Sequence, residues 1–308
     1  MKIDMDASNP SSQEPGPSQS PEGDLGKGQQ QSAKTDISPS GYLQHQSGQL
    51  AYHVCGSGPQ YMVLFHGYAQ DATSWLPLVS SFTDAYTFVL VDLYFHGQSS
   101  WADKQRVLSV SDWRHVMTQL LDQLAVQQVT VGGFSIGCKF ALATIASIPH
   151  RVKDLILVAP DGLVNRFWYQ VATSTSVGRA WFKQLITKPG VFFRLANMLH
   201  SIGLLDRNIL TFVGNQMNTR QKRLKVYCTW TVFRGLKFAP RQIAETLNQY
   251  QIPLTVFLGK WDGVISRRHV APLLGLVKNS KVQVLEASHH NLVQKVAQHY
   301  QQTLLAVA

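Results

Sequence analysis

The sequence predicts an α/β fold: a mostly parallel sheet with helices on both faces, and a helical segment inserted late in the chain. Three observations predict it. Short β-rich runs alternate with helical patterns from Gly41 onward, which argues for βαβ units. The runs Met62–Phe65 and Leu155–Val158 are continuously apolar, as strands buried on both faces are. Residue types able to do chemistry follow the ends of several runs, where open parallel sheets bind their ligands.

Residues 1–40 are built from Ser, Pro, Gln, Gly and Asp with hardly a large apolar side chain. Such a segment buries too little apolar surface to offset its ordering entropy, and a disordered polar tail is expected. Strands are predicted at Leu50–Val54, Tyr61–Phe65, Tyr86–Val91, Val129–Phe134, Leu155–Val158, Leu254–Leu258 and Val282–Leu285. Helices are predicted at Trp75–Ser81, Val110–Leu124, Ile136–Ile148, His269–Val277 and Leu292–Leu305. Residues 163–250 break the alternation and read as helical, with Gly178, Pro189-Gly190 and Gly214 as interruptions. The expected organisation is therefore a tail over 1–40, a core over 41–162 and 251–308, and a helical insertion over 163–250.

The chain has 308 residues, 44% hydrophobic and 15% charged, a balance that supports a large core and excludes global disorder. Its net charge is +10, and the excess is local: residues 163–250 hold 13 Lys or Arg and only two acids, Asp206 and Glu245. Aromatic residues interleave these cations, at Phe167-Trp168-Tyr169, Trp181-Phe182, Phe192-Phe193 and Trp230. That combination allows two readings, a solvated basic face over an aromatic-lined acyl pocket, or peripheral contact with anionic membrane. No nucleic-acid motif accompanies the charge, and no nucleic-acid partner is expected. Cys55, Cys138 and Cys228 lack Cys-x-x-Cys spacing, which excludes a disulfide framework and a cysteine zinc site. The start, Met1 to Asp6, shows no secretory signal, and a cytoplasmic location is expected. The apolar window from Val129 to Ile148 reads as strand, sharp turn and helix rather than as a membrane span.

The strand ends carry the chemistry. His66-Gly67-Tyr68 follows one run, Asp92 to Ser99 the next, and Gly133-Phe134-Ser135-Ile136-Gly137 lies between a strand and a helix. Asp161 follows Leu155–Val158, Asp262 follows Leu254–Gly259, and His289-His290 follow the last run. A serine hydroxyl attacks well only when a base takes its proton, and that base needs an orienting acid. Ser135, Asp262 and His289 supply those types from three separate strand ends, with His290 the alternative base and Asp161 the alternative acid. His66 and His96 read as loop histidines that bond backbone rather than as metal ligands, and no metal-ligand cluster is visible. Cys138 reads as a buried packing thiol.

Five of these segments, in this order, resemble the α/β-hydrolase superfamily over about residues 42–308. They are Phe65-His66-Gly67, Asp92 to Ser99, Gly133 to Gly137, Gly259-Lys260-Trp261-Asp262 and His289. The resemblance implies an α/β-hydrolase fold with a lid over residues 163–250. It also implies a nucleophile elbow at Ser135, a triad completed by Asp262 and His289, and an oxyanion hole from the Tyr68 and Ile136 main-chain N–H groups. A serine hydrolase acting on a small-molecule ester or related acyl bond, without cofactor or metal, is the function it implies. The alternatives are C–C bond hydrolysis or acyl transfer by the same triad, or a binding protein that no longer turns over. Serine rather than aspartate at the elbow argues against the dehalogenase and epoxide-hydrolase branches.

Overall fold

The computed structural model describes residues 37–103, 106–163, 167–202, 214 and 217–305. Among them one sheet holds nine strands: β1 (Gly41–His45), β2 (Gly48–Cys55), β3 (Gln60–Phe65), β4 (Tyr86–Val91), β5 (Ser100–Trp101), β6 (Val129–Phe134), β7 (Val152–Val158), β8 (Leu254–Gly259) and β9 (Ser280–Leu285). Their order is β1-β2-β4-β3-β6-β7-β8-β9, with β5 paired to β2. From β4 through β9 every pairing is parallel, while β2 runs antiparallel to β1, β4 and β5.

The helices are α1 (Leu76–Val79), α2 (Val110–Gln123), α3 (Gly137–Ser147), α4 (Phe167–Ser174), α5 (Ser176–Thr187), α6 (Pro189–Ser201), α7 (Arg220–Val232), α8 (Pro240–Gln249), α9 (Arg267–Leu274) and α10 (Leu292–Leu305). Residues paired across a parallel ladder share a face, and neighbours along a strand alternate. Phe65 pairs with Gly133, Gly133 with Leu157 and Leu157 with Val256, so these share one face and Phe257 lies on the other. On the first face the Trp113 ring of α2 meets Phe65 at 5.5 Å and Phe140 of α3 at 4.9 Å. On the second, Phe257 meets Tyr300 of α10 at 5.6 Å. Both faces are therefore covered, which is why β3, β4, β6 and β7 tolerate continuous apolar sequence.

Helix starts follow capping chemistry. Ser109 and Asp112 form a reciprocal capping box at the head of α2. Thr175 and Thr219 accept from the Gly178 and Lys222 N–H groups at the heads of α5 and α7. Gly178 thus lies in the first turn of a helix, and the break falls at Thr175 instead.

β1 and β5 are strands beyond the predicted runs; β1 buries only Leu43 fully, so no apolar run announces it. The predicted tail over residues 1–40 lies outside the described residues except Ile37–Ser40, which dock on the sheet. Ile37 packs on the core, Ser40 N–H donates to Tyr52 O at 2.8 Å, and Ser40 Oγ accepts from Val54 N–H at 2.8 Å. Within the segment 163–250, α8 buries Ile243, Ala244 and Leu247 in the main core and packs on α3 and α9. The helices α4 to α7 have a small apolar cluster of their own, Phe182, Ile186, Met217 and Val226.

Candidate active site

Ser135 occupies the turn from β6 to α3 with φ +52°, left-handed backbone that a residue with a β-carbon keeps only under constraint. The constraints are specific. Its N–H donates to Val158 O at 2.9 Å, and its carbonyl accepts from Cys138 N–H at 3.0 Å and Asp161 N–H at 3.2 Å. A β-carbon at Gly137 would stand 2.2 Å from Phe65 O, and one at Gly133 would stand 2.7 Å from Cys138 N. Glycine is required at both because strand, helix and the His66 loop meet there. Ser135 also sits at the head of α3, where the helix dipole favours developing negative charge.

The imidazole that reaches Ser135 is that of His289. Its Nε2 lies 3.2 Å from Ser135 Oγ and its Nδ1 lies 2.7 Å from Asp262 Oδ2. The Phe134 ring packs beside it with centroids 5.0 Å apart. Asp262 Oδ1 accepts from the Val264 and Ile265 N–H groups at 2.8 and 2.9 Å, so the carboxylate is oriented from its own loop. Burial alone would raise its pKa; the His289 contact and these N–H groups outweigh that and hold it below the usual carboxylate range. His290 stands beside His289 with rings at 84°. Asp161 turns its carboxylate to Lys139 Nζ at 3.4 Å.

The Tyr68 and Ile136 N–H groups make no hydrogen bond among the described residues. Their setting is rigid. Gly67 N–H donates to Gln70 Oε1 at 2.9 Å, and Gly67 O accepts from His66 Nδ1 at 2.7 Å. Leu93 N–H donates to His66 Nε2 at 2.9 Å, which leaves the proton on Nδ1 and ties the loop after β3 to the loop after β4. Burial lowers the His66 pKa to about 4, so the ring is a neutral strut. Asp92 anchors the second loop: it accepts from Ala72 N–H at 2.8 Å and Gln98 N–H at 2.9 Å. A β-carbon at Gly97, φ +51°, would collide with that carboxylate. Cys138 donates to Gly133 O at 3.0 Å and burial pushes its thiol well up, which keeps it protonated. Among the described residues no His, Cys, Asp and Glu group could hold a metal ion.

An alpha/beta hydrolase fold family model matches residues 60–295. The chain belongs to this family. An uncharacterized protein of Mycobacterium tuberculosis is 34% identical over 116 residues, 37% of this chain and 33% of that protein. The chain thus spans about a third of the length of the curated relatives it matches first. A pimeloyl-[acyl-carrier protein] methyl ester esterase of Legionella pneumophila is 24% identical over 236 residues, covering 74% of this chain and 87% of the esterase. Among solved structures, a thermophilic esterase from Thermogutta terrifontis superposes with a TM-score of 0.62 at 17% identity, covering 87% of this chain and 99% of the esterase. Within the α/β-hydrolase frame, residues that sequence reasoning passed over also shape the site. Gln70 and Phe134 carry no motif signal, and only tertiary contact assigns them a place.

Proposed function

We propose that the chain is a serine hydrolase that cleaves an ester or related acyl bond of a small molecule through an acyl-enzyme. The observation that carries this reading is the unbroken line from Ser135 Oγ through the His289 ring to Asp262, at 3.2 and 2.7 Å. Ser135 Oγ bonds to the substrate carbonyl carbon, its proton passes to His289 Nε2, and the carbonyl electron pair moves onto oxygen. The unused Tyr68 and Ile136 N–H groups stabilise that oxyanion, a contribution of about 10²–10³ in rate per donor. Asp262 keeps the ring in the required tautomer and stabilises the imidazolium. The alcohol leaves with the proton from Nε2. Water takes its place, gives a proton to His289 Nε2 and attacks the acyl carbon; the acyl–Oγ bond breaks as Ser135 Oγ recovers that proton and the acid is released.

Hydrolysis of p-nitrophenyl esters of graded chain length tests the assignment. Ser135→Ala and His289→Ala should each lower kcat by about 10⁴ or more, as loss of a triad member does, and Asp262→Asn by a similar order. His290→Ala and Asp161→Asn should cost far less. Wild-type turnover in Ser135→Ala would overturn the reading.

The insertion supports a second element of the reading, peripheral contact with anionic membrane. Val177 and Trp181, one turn apart on α5, are 67% and 69% exposed, and Met198 and Ile202 on and after α6 are 53% and 60% exposed. Lys183 and Lys188 of the same segment are exposed as well. Apolar and aromatic side chains amid cations suit a lipid headgroup region. Among the described residues no helix is long and apolar enough to cross a membrane.

A further inference from the structure

The loop that bears Tyr68 is fastened at both ends to one short stretch of chain after β4. At its head, His66 Nε2 accepts from Leu93 N–H at 2.9 Å. At its foot, Ala72 N–H donates to Asp92 Oδ1 at 2.8 Å. Asp92 and Leu93 are consecutive, so the position of this loop is set by how firmly Asp92 is held. The Asp92 main chain is tied to β2 and to its own loop: its N–H donates to Ala51 O at 3.1 Å, and its carbonyl accepts from Ser99 Oγ at 2.6 Å. Its side chain is 2% exposed. A carboxylate at that depth is costly unless it is paired.

The group that pairs it is His53 of β2, itself 3% exposed. His53 Nε2 lies 3.3 Å from Asp92 Oδ2, and Nδ1 lies 3.1 Å from Ser38 O. Neither partner can donate. One is a peptide carbonyl, and the other is a carboxylate that already accepts from the Ala72 and Gln98 N–H groups. A neutral imidazole carries one N–H and satisfies one acceptor; only the imidazolium satisfies both. The charges that reach the ring are Asp92 and, from the loop after β3, Asp71, and both are negative. Burial alone would lower the His53 pKa; the hydrogen bonds to Asp92 and Ser38 and the two carboxylates outweigh it and raise the pKa above the ordinary 6.5. His53 and His66 are thus both buried and opposite in state, because one faces two acceptors and the other accepts an N–H.

Resting on the ester-hydrolase reading, we propose that His53 is a positioning residue: it stands as an imidazolium between Ser38 O and Asp92, and its charge fixes the carboxylate that holds the Tyr68 oxyanion loop. This contribution is present at low pH and is lost as pH rises through the titration of the ring. Loss of the proton leaves one N–H for two acceptors. The carboxylate is the stronger of the two, so the N–H stays on Nε2 and Ser38 O is left facing a lone pair. The wild type at high pH then resembles His53→Gln, whose amide offers Asp92 an N–H without charge.

Three measurements on the full-length protein test this. Long-range proton–nitrogen correlation spectra at pH 6.5 read the ring directly, with His53→Gln identifying its signals. A solvated histidine is half protonated there. His53 should be predominantly imidazolium, and a predominantly neutral ring overturns the proposal. In hydrolysis of p-nitrophenyl butyrate at that pH, His53→Gln should lower kcat about tenfold and change KM less than about twofold, against 10²–10³ in kcat for outright loss of an oxyanion donor. The ratio of wild-type to variant kcat should then fall toward one as pH rises, since the titration of His289 is common to both and cancels. A ratio that does not change with pH overturns the proposal. Failure of the hydrolase reading looks different: the wild type turns over no ester. Hydrogen exchange then decides the positioning. The peptide spanning residues 66–72 should exchange at least fivefold faster in His53→Gln than in wild type at pH 6.5, while β8 keeps its rate. Equal exchange over residues 66–72 overturns it.

Discussion

At the residue scale, His66 shows how a buried neutral ring stabilises a loop and exposes it to acid. Its native pKa of about 4 lies below the 6.5 of a solvated histidine because burial penalises the charged form. Between those values the unfolded chain binds a proton that the native ring refuses. The contribution is complete above pH 6.5 and is lost as pH falls toward 4, reaching about 2 kcal/mol at pH 5. Asp262 and Asp92, both held below the usual carboxylate range, add losses of the same sign at still lower pH. Melting scans at pH 7 and pH 5 check this: His66→Gln should lose about 4–8 °C less than wild type over that interval. Equal losses would mean that the ring is not a neutral strut.

At the element scale, docking on the sheet extends ahead of the first strand to residues 37–40. Ser38 O lies 3.1 Å from His53 Nδ1, and Ser40 pairs with both Tyr52 and Val54. A chain starting at Gly41 should therefore melt lower than one starting at Asp36, having lost roughly 1.5–4 kcal/mol with the three hydrogen bonds removed. Equal melting temperatures would contradict the docking. What was legible at this scale followed from local pattern. β3, β4, β6 and β7 announce themselves because burial on both faces demands continuous apolar sequence. α2 announces itself through its apolar period, and its Ser109–Asp112 capping box came only with the structure. β1 does not, since an edge strand that fully buries only Leu43 has no apolar period to read. The packing of α8 was illegible for a different reason. α8 is an ordinary amphipathic helix, and only its packing on α3 shows which body its apolar side joins.

At the scale of the whole molecule, charge and chemistry are divided between two regions. The core brings Ser135, Asp262 and His289 together from three strand ends that lie far apart in the chain. Each was legible as a candidate because it stands just past its own strand, but only the geometry separates His289 from His290 and Asp262 from Asp161. The contact of Tyr68 with His96 had no such signal, because it joins two loops that are remote in sequence. The insertion contributes the cations. If it meets membranes, the chain should sediment with vesicles rich in anionic lipid at low salt and release at high salt, each engaged cation adding about 1 kcal/mol. Trp181→Ala should weaken the association. Equal, negligible binding to neutral and anionic vesicles at low salt would remove membrane contact from the account. Whether Ser135 is the nucleophile is decided by labelling the full chain with a fluorophosphonate and mapping the adduct by mass spectrometry. One adduct is expected on the peptide at Ser135, lost in Ser135→Ala and much slowed in His289→Ala. An adduct on another residue, or labelling undiminished in Ser135→Ala, would contradict that role.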